Sequence, residues 1–502
     1  MPNSATWQSR RQTGRVSPFP GVGSSRVLWW STAALVTFSI VLGGGTQQGS
    51  WSDALVQLVA LGLLFAVLLS FLAEPSPIRD PIPILLTIGV VALPVLQLIP
   101  LPPILWTNLP GREAFVSAFA SADIALPWLP VSLDPGRTFR SLLALLPAVA
   151  VFLATLRLDY PARQSLSLLY IALGILSVSL GLAQLAQGPT SPLRFFPITN
   201  AADSVGFFAN RNHYAALLYS LIPLVAAWVV ALVYDKRTGR LFWLVAFTLV
   251  FATLMLGLGM ARSRAGIMLA VLAGAGSLGL AATSGRRFAR QGTIIIAAAW
   301  FIGVILIVQY ALFGVLARFD SDILVDYRLV IAATTVEVAA KFQPLGSGLG
   351  TFEAIYQMFE PNTALLTSYI NHAHNDWLEL WLEGGWGAVL LLLVFLFWFV
   401  RQSLRVWRAD QSKHQLIDRA LARAATISIS LVLLHSVVDY PLRTTAITTF
   451  LGWSCALLLS PHPLAGANRR PEPPAARKAS GNGPIARWVS RRQRGRASAW
   501  QR

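Results

Sequence analysis

Residues 54–73 read ALVQLVALGLLFAVLLSFLA, twenty positions with no charge and with Gln57 and Ser70 as the only polar side chains. At about 1.5 Å of rise per residue, such a segment makes a helix of about 30 Å, the hydrocarbon thickness of a bilayer. The segment is therefore expected to cross a membrane. In a window of about 19 residues, stretches of the same character begin near Leu28, Ala54, Ile82, Ser141, Leu166, Tyr214, Leu241, Ala265, Thr293, Trp386, Leu421 and Thr444, twelve in all. Pro94 falls inside the third and Pro223 inside the sixth; membrane helices tolerate proline because neighbouring groups satisfy the carbonyl it frees. Trp29 and Trp30 open the first, where an interfacial aromatic belt belongs.

Of 502 residues, 55% are hydrophobic and 12% charged, against about 25% charged in an ordinary soluble domain. A water-soluble enzyme is excluded. The expected fold class is all-α, a polytopic integral membrane protein of about 12 transmembrane helices with a large extracytoplasmic loop containing short helices. A basic arm is expected over residues 1–27, the transmembrane domain over 28–460 and a disordered basic tail, rich in Pro, Ala, Gly and Arg, over 461–502. The single cysteine, Cys455, lies in an apolar run and offers neither a disulfide nor a Cys-based metal site.

The chain has 40 basic and 22 acidic residues, a net charge of +18. In a soluble protein that excess would suggest nucleic acid; here its distribution decides otherwise. The N-terminal arm, alternate connections and the tail hold 29 basic residues, the remaining connections 11. Basic residues near span ends stay on the cytoplasmic side, so both termini are expected in the cytoplasm and no nucleic-acid partner is expected. The arm with Arg10, Arg11 and Arg15 lacks an adjacent cleavage site and reads as retained rather than as a signal peptide. The tail is suited to lying on anionic lipid.

Two connections on the opposite face are long, Leu101 to Arg140 and Arg318 to Gly385. Loops beyond about 15 residues usually have a function or are disordered. The second places aromatics and glycines among apolar residues and is expected to fold back over the membrane as short helices. Four motifs share this face. Gly206-Phe207-Phe208-Ala209-Asn210-Arg211-Asn212-His213 enters the sixth span, either as a cluster of fixed donors or as an interfacial anchor. Ser263-Arg264-Ala265-Gly266 joins the seventh and eighth; Arg262 and Arg264, two apart on a helix, would point about 200° apart and not share a site, or would snorkel.

Arg328 comes next, then Pro344-Leu345-Gly346-Ser347-Gly348-Leu349-Gly350-Thr351-Phe352, whose glycines allow the backbone to approach a ligand or simply turn between helices. The fourth motif is His372-Ala373-His374-Asn375-Asp376-Trp377-Leu378-Glu379, continuing to Glu383-Gly384-Gly385-Trp386-Gly387. Asn375 or Asp376 is expected to cap a short helix with Glu379 and Glu383 on one face, ended by the two glycines. His372 and His374 lack a third ligand at a recognisable spacing and do not form His-Glu-x-x-His, so neither metal nor other cofactor is expected.

In this order, Asn210 to His213, Ser263-Arg264, Pro344 to Phe352 and His372 to Gly385 resemble the O-antigen ligase and Wzy-type O-antigen polymerase superfamily of bacterial envelope glycosyltransferases. His435-Ser436-Val437-Val438-Asp439-Tyr440-Pro441 looks like the family's penultimate outward turn. The likeness spans roughly residues 200–445; the double glycine Gly384-Gly385 departs from the usual pattern. It implies transfer of a glycan from an undecaprenyl diphosphate carrier to a hydroxyl of a glycan or lipid A core acceptor, at the outer face of the bacterial inner membrane. In that chemistry Arg211, Arg264 and Arg328 would stabilise the diphosphate leaving group, and His374 would take the acceptor proton. Asn210, Asn212, His213, His372, Asn375, Gly348 and Gly350 would line the substrates. A transporter or flippase of lipid-linked glycans would instead carry ionisable residues in mid-membrane near broken helices, whereas these cluster at the outer ends. A dolichol-type transferase would need acidic residues in an early outward loop, which offers only Asp53, with Asp320-Ser321-Asp322 coming late; Ser347 is poorly placed for a protease.

Overall fold

The computed structural model describes residues 25–46, 49–74, 80–197, 201–234, 240–283, 293–305, 323–361, 369–408 and 416–461. Most of the N-terminal arm and the tail, with Arg318 and Asp320-Ser321-Asp322, lie outside these residues. From the N-terminus run α1 (Ser25–Leu42), α2 (Trp51–Ala73), α3 (Ile82–Gln97), the short α4 (Pro103–Trp106) and α5 (Glu113–Ser121), α6 (Pro135–Arg157) and α7 (Tyr160–Gln187). There follow α8 (Arg211–Tyr234), α9 (Arg240–Ala261), α10 (Arg264–Ala282), α11 (Thr293–Ile305), α12 (Ile323–Lys341), α13 (Phe352–Phe359), α14 (Asp376–Arg408), α15 (Leu416–His435) and α16 (Thr445–Leu457). Among the described residues the only strands are Pro100–Leu101 and Leu129–Pro130, paired antiparallel. The protein is an all-α polytopic membrane protein.

Each of the twelve expected spans falls on a helix. Among the described residues eight helices, α1, α2, α6 to α10 and α14, are long and apolar enough to cross a membrane, while α3, α11 and α16 are shorter apolar helices. α15 has 20 residues and carries Asp418, Arg419 and Arg423 near its start. Leu55, Leu58, Leu61, Phe65, Leu68 and Leu72 form an exposed row on α2, a face that only lipid or another apolar surface can cover. α8 is the central helix, buried along most of its length and packed against α9, α10 and α15.

Helix ends are fixed by side chains that satisfy otherwise orphaned backbone groups. Asp134 caps α6 by accepting from Arg137 N at 3.0 Å, and Ser263 caps α10 by accepting from Gly266 N at 3.1 Å. At the opposite end of the bundle arginines serve the C-terminal carbonyls. Arg163 donates to Thr155 at 2.9 Å and to Leu459 at 2.7 Å, joining the ends of α6 and α16. Arg157 donates to Ser70 and Glu74 at the end of α2, each at 3.2 Å.

The described part of the second long connection packs at the motif-bearing end. α12, α13 and the start of α14 build a small hydrophobic core of their own around Val338, Phe342, Phe352, Tyr356 and Leu382. Arg137 reaches it from α6 through Glu353, at 2.7 Å. α14 is broken at Gly385 (φ 57°, ψ −156°), so residues 376–384 form a separate short helix above the membrane-crossing part.

Candidate active site

Four segments that are remote in sequence meet above α8. They are the start of α8 itself, the α9–α10 turn, the strap 369–376 and the turn between α15 and α16. Asn212 joins three of them. Its amide donates to Asp439 Oδ2 and its oxygen accepts from Ser263 Oγ at 2.8 Å. Asn210 turns the chain into α8, its side-chain oxygen accepting from Asn212 N at 2.8 Å.

Histidines surround the ring of Tyr440, with His372 at 4.2 Å, His213 at 4.8 Å and His374 at 5.0 Å between centroids. Asn210 and Asn371 hydrogen-bond the Tyr440 hydroxyl, and burial together with Asp439 pushes that hydroxyl well above its ordinary pKa. His213 is fully buried, with Thr444 Oγ1 2.9 Å from its Nδ1. His372 is buried too, its Nδ1 2.8 Å from Glu379 Oε1. Burial works against its protonated form, but the Glu379 carboxylate holds its pKa above the usual imidazole value.

His374 differs from both. Its side chain is 27% exposed, its backbone is left-handed at φ 50°, and its Nδ1 stands 3.5 Å from Asp439 Oδ1, an ion-pair separation rather than a closed hydrogen bond. Asp439 is buried, which would raise its pKa. His374, with His213 and His435 behind it, outweighs burial and holds the carboxyl well below the usual carboxylate range.

A second cluster is cationic. Arg211 Nη1 lies 2.6 Å from Asp203 Oδ2 and Arg262 Nη1 3.9 Å from Asp203 Oδ1, while Arg194 donates to the Asp203 carbonyl at 3.0 Å. Three guanidiniums thus gather on Asp203, two at its carboxylate and one at its backbone carbonyl, and Nε and Nη2 of Arg194 are buried without a hydrogen-bond partner among the described residues. The expectation that Arg262 and Arg264 diverge on one helix is overturned. Arg262 precedes the helix with φ 48°, Ser263 is the cap, and only Arg264 is helical. Arg328, on α12, is half-buried and within electrostatic reach of His435.

The glycine loop and Asn375 serve the fold. Gly348 (φ 110°) donates its N–H to Glu383 O at 2.9 Å, Gly350 (φ 82°) hydrogen-bonds the Glu383 carboxylate, and Phe352 N donates to Glu383 Oε1 at 3.0 Å. The close approaches that the loop's glycines permit are to the chain itself, Gly346 to the Glu383 carbonyl and Gly348 to Ser132. Asn375 caps α14, accepting from Trp377 N at 3.0 Å and Leu378 N at 3.1 Å. Among the described residues no three His, Cys, Asp or Glu side chains are grouped as a metal cage requires.

Asp203, Arg194 and Arg443 escaped the sequence reading, and Asp439 was quoted there without a role. Arg443 carried the one usable signal, being the only Lys or Arg in the connection between α15 and α16. Asp203 and Arg194 sit in an unpatterned loop.

A membrane-embedded bundle with an accessible histidine–aspartate pair beside a cationic cluster defines the class: a polytopic α-helical membrane protein with a cluster of histidines, carboxylates and guanidiniums at one end. Residues 247–393 match the family model described as O-Antigen ligase, a range that takes in Arg262 to Arg264, Arg328, the glycine loop and His372 to His374. Over that range the chain is similar to the O-antigen ligase family, which supports the resemblance to the O-antigen ligase/Wzy superfamily. No curated protein gives a match.

Proposed function

We propose that the protein is a glycosyltransferase of the bacterial inner membrane, with both termini cytoplasmic and the site on the periplasmic face. It moves a glycan from an undecaprenyl diphosphate carrier to an acceptor hydroxyl, as an O-antigen ligase or a surface-polysaccharide polymerase. The observation that carries this reading is that His374, partly exposed where His213, His372 and His435 are buried, pairs with Asp439 at the same end of the bundle as the guanidiniums around Asp203.

In this reading the tautomer with the proton on Nδ1, facing Asp439, leaves Nε2 of His374 free as the base. The acceptor hydroxyl gives its proton to Nε2 as its oxygen bonds to the anomeric carbon. The bond from that carbon to the diphosphate oxygen breaks, and the electron pair leaves with the phosphate. Arg211, Arg264 and Arg328, with Arg194 and Arg262, meet the charge that grows there; fixed planar guanidiniums can bind two phosphate oxygens at once. Direct attack inverts the anomeric centre. Asn210, Asn212, His213 and His372 shape the site around the base, and no metal takes part.

The test is transfer by the purified protein from an undecaprenyl-diphosphate-linked oligosaccharide, resolved by product size, with and without lipid A core acceptor and alongside His374→Ala. A ladder formed without added acceptor marks a polymerase, and one acceptor-dependent shift marks a ligase. Retained anomeric configuration, or EDTA inhibition reversed by a divalent ion, would overturn the mechanism. Absence of any His374-dependent product would return the transporter reading.

A further inference from the structure

The turn between α15 and α16 carries Asp439, and its far end is Arg443. The Arg443 side chain is 15% exposed and meets three carboxylates: Glu383 Oε2 at 2.8 Å, Glu379 Oε1 at 3.3 Å and Asp376 Oδ1 at 3.7 Å. Positions 376, 379 and 383 lie on one face of the short helix that opens α14. The same helix holds the near end of the turn. Asp376 Oδ2 accepts from Ser436 Oγ at 2.8 Å and from Leu442 N at 3.1 Å, and Asp376 N donates to Ser436 O at 2.9 Å.

His374 is two residues upstream of this anchorage. Between them, Asn375 Nδ2 donates to Val437 O at 2.9 Å. Strap and turn are therefore bolted together on both sides of the His374–Asp439 contact, while Arg443 makes no hydrogen bond or ion pair with either residue. Three buried carboxylates on one guanidinium are a costly way to hold a turn, since well-packed apolar side chains of the same volume are often as stabilising or more so. What the charged fork adds is direction, fixing two segments at set angles and distances.

We propose that Arg443 is a positioning residue, which gathers Asp376, Glu379 and Glu383 so that Asp439 is held at its working distance from His374. The proposal rests on His374 acting as the base. It differs from a general stabilising role because it ties Arg443 to the state of one imidazole.

The experiment uses the full-length protein purified in detergent, as wild type, Arg443→Gln, Arg443→Lys and Asp439→Asn, with monodispersity checked by size exclusion. Transfer kinetics are one readout. Arg443→Gln should lower kcat about a hundredfold, the cost of a misplacement of about 1 Å, with the donor KM within about threefold, and Arg443→Lys should recover part of the loss. The second readout needs no activity: modification of His374 by diethylpyrocarbonate, followed by mass spectrometry across pH, with buried His213, His372 and His435 as internal controls. The pH midpoint for His374 should move in Arg443→Gln in the same direction as in Asp439→Asn. A monodisperse Arg443→Gln whose His374 midpoint equals that of wild type, or whose kcat is unchanged, overturns the proposal. If Arg443→Gln does not fold, Glu379→Gln and Arg443→Lys are read by the same criteria. A wild type that transfers no glycan sinks the transferase reading, and the modification profile still decides the positioning.

Discussion

Asp439 Oδ1 lies 3.5 Å from Nδ1 of His374, and Asp439 is buried while His374 reaches solvent. The carboxylate also takes the Asn212 amide and its own neighbour's N–H, from Tyr440 at 2.9 Å, so its orientation is fixed from several sides. A buried carboxylate aimed at one nitrogen of an accessible imidazole selects the tautomer and steadies the imidazolium. Asp439→Asn keeps the shape and loses the charge. It should lower kcat by about 10² or more, the usual worth of a positioned general base, with little change in KM. Steady-state transfer kinetics check this, and full activity in Asp439→Asn would remove it from the site.

Arg194 and Arg211 share Asp203 but have different tasks left to do. Two nitrogens of Arg194 are buried without a hydrogen-bond partner among the described residues, and orphaned buried donors are costly until something accepts from them. In the proposed reaction the diphosphate of the donor would supply the missing acceptors. Arg194→Gln should raise the donor KM about tenfold, the equivalent of about 1.4 kcal/mol. Arg211→Lys, which keeps charge but loses the fork, should lower kcat instead. Equal donor titrations for Arg194→Gln and wild type would show that Arg194 only braces the Asp203 loop.

What could be read in the chain and what could not separates along physical lines. A span reveals itself within about 20 consecutive residues, which is why Ile82–Gln97 and Thr445–Leu457 were legible although short. The cap at Asn375 and the stop at Gly385 were legible because both are local backbone requirements. The partners of charged groups were not. Glu379 and Glu383 read as neighbours on a helix face, but nothing local announces that their counter-ion is Arg443, 60 residues from Glu383. Arg262 was misplaced for a related reason. A periodic helix was assumed to run through Ser263, whereas the serine's hydroxyl caps a new one and leaves Arg262 in the turn, facing Asp203.

Gly385 is where the short helix and the membrane helix of α14 part. Its φ of 57° with ψ of −156° is open essentially only to glycine, and a Cβ there would collide with the carbonyl of Pro344. That carbonyl accepts from Trp386 N at 2.9 Å, so the collision falls on the contact that docks the glycine loop. Gly385→Ala should cost about 1–3 kcal/mol and lower the apparent Tm in detergent. Gly387→Ala, with only Leu93 near its Cβ at 3.5 Å, is the control and should be nearly neutral. A Gly385→Ala protein as stable as the control would mean that the break in α14 is not required.

His372 gives the protein a pH dependence whose sign can be worked out. Its folded pKa is raised above the ordinary value of about 6.5, because the Glu379 carboxylate outweighs the penalty of burial. A raised imidazole pKa means that folding favours the protonated form, so its contribution is complete below about pH 6.5. It declines as pH climbs through the folded value and is absent above it. His372→Gln removes the titration while leaving a hydrogen-bonding side chain opposite Glu379. The gap in apparent Tm between wild type and His372→Gln should be widest near pH 6 and narrow steadily toward pH 9. Thermal unfolding of both proteins across that range, in one detergent and at constant salt, measures it. A gap that widened with rising pH would mean that His372 is held neutral and that Glu379 is balanced by Arg443 alone.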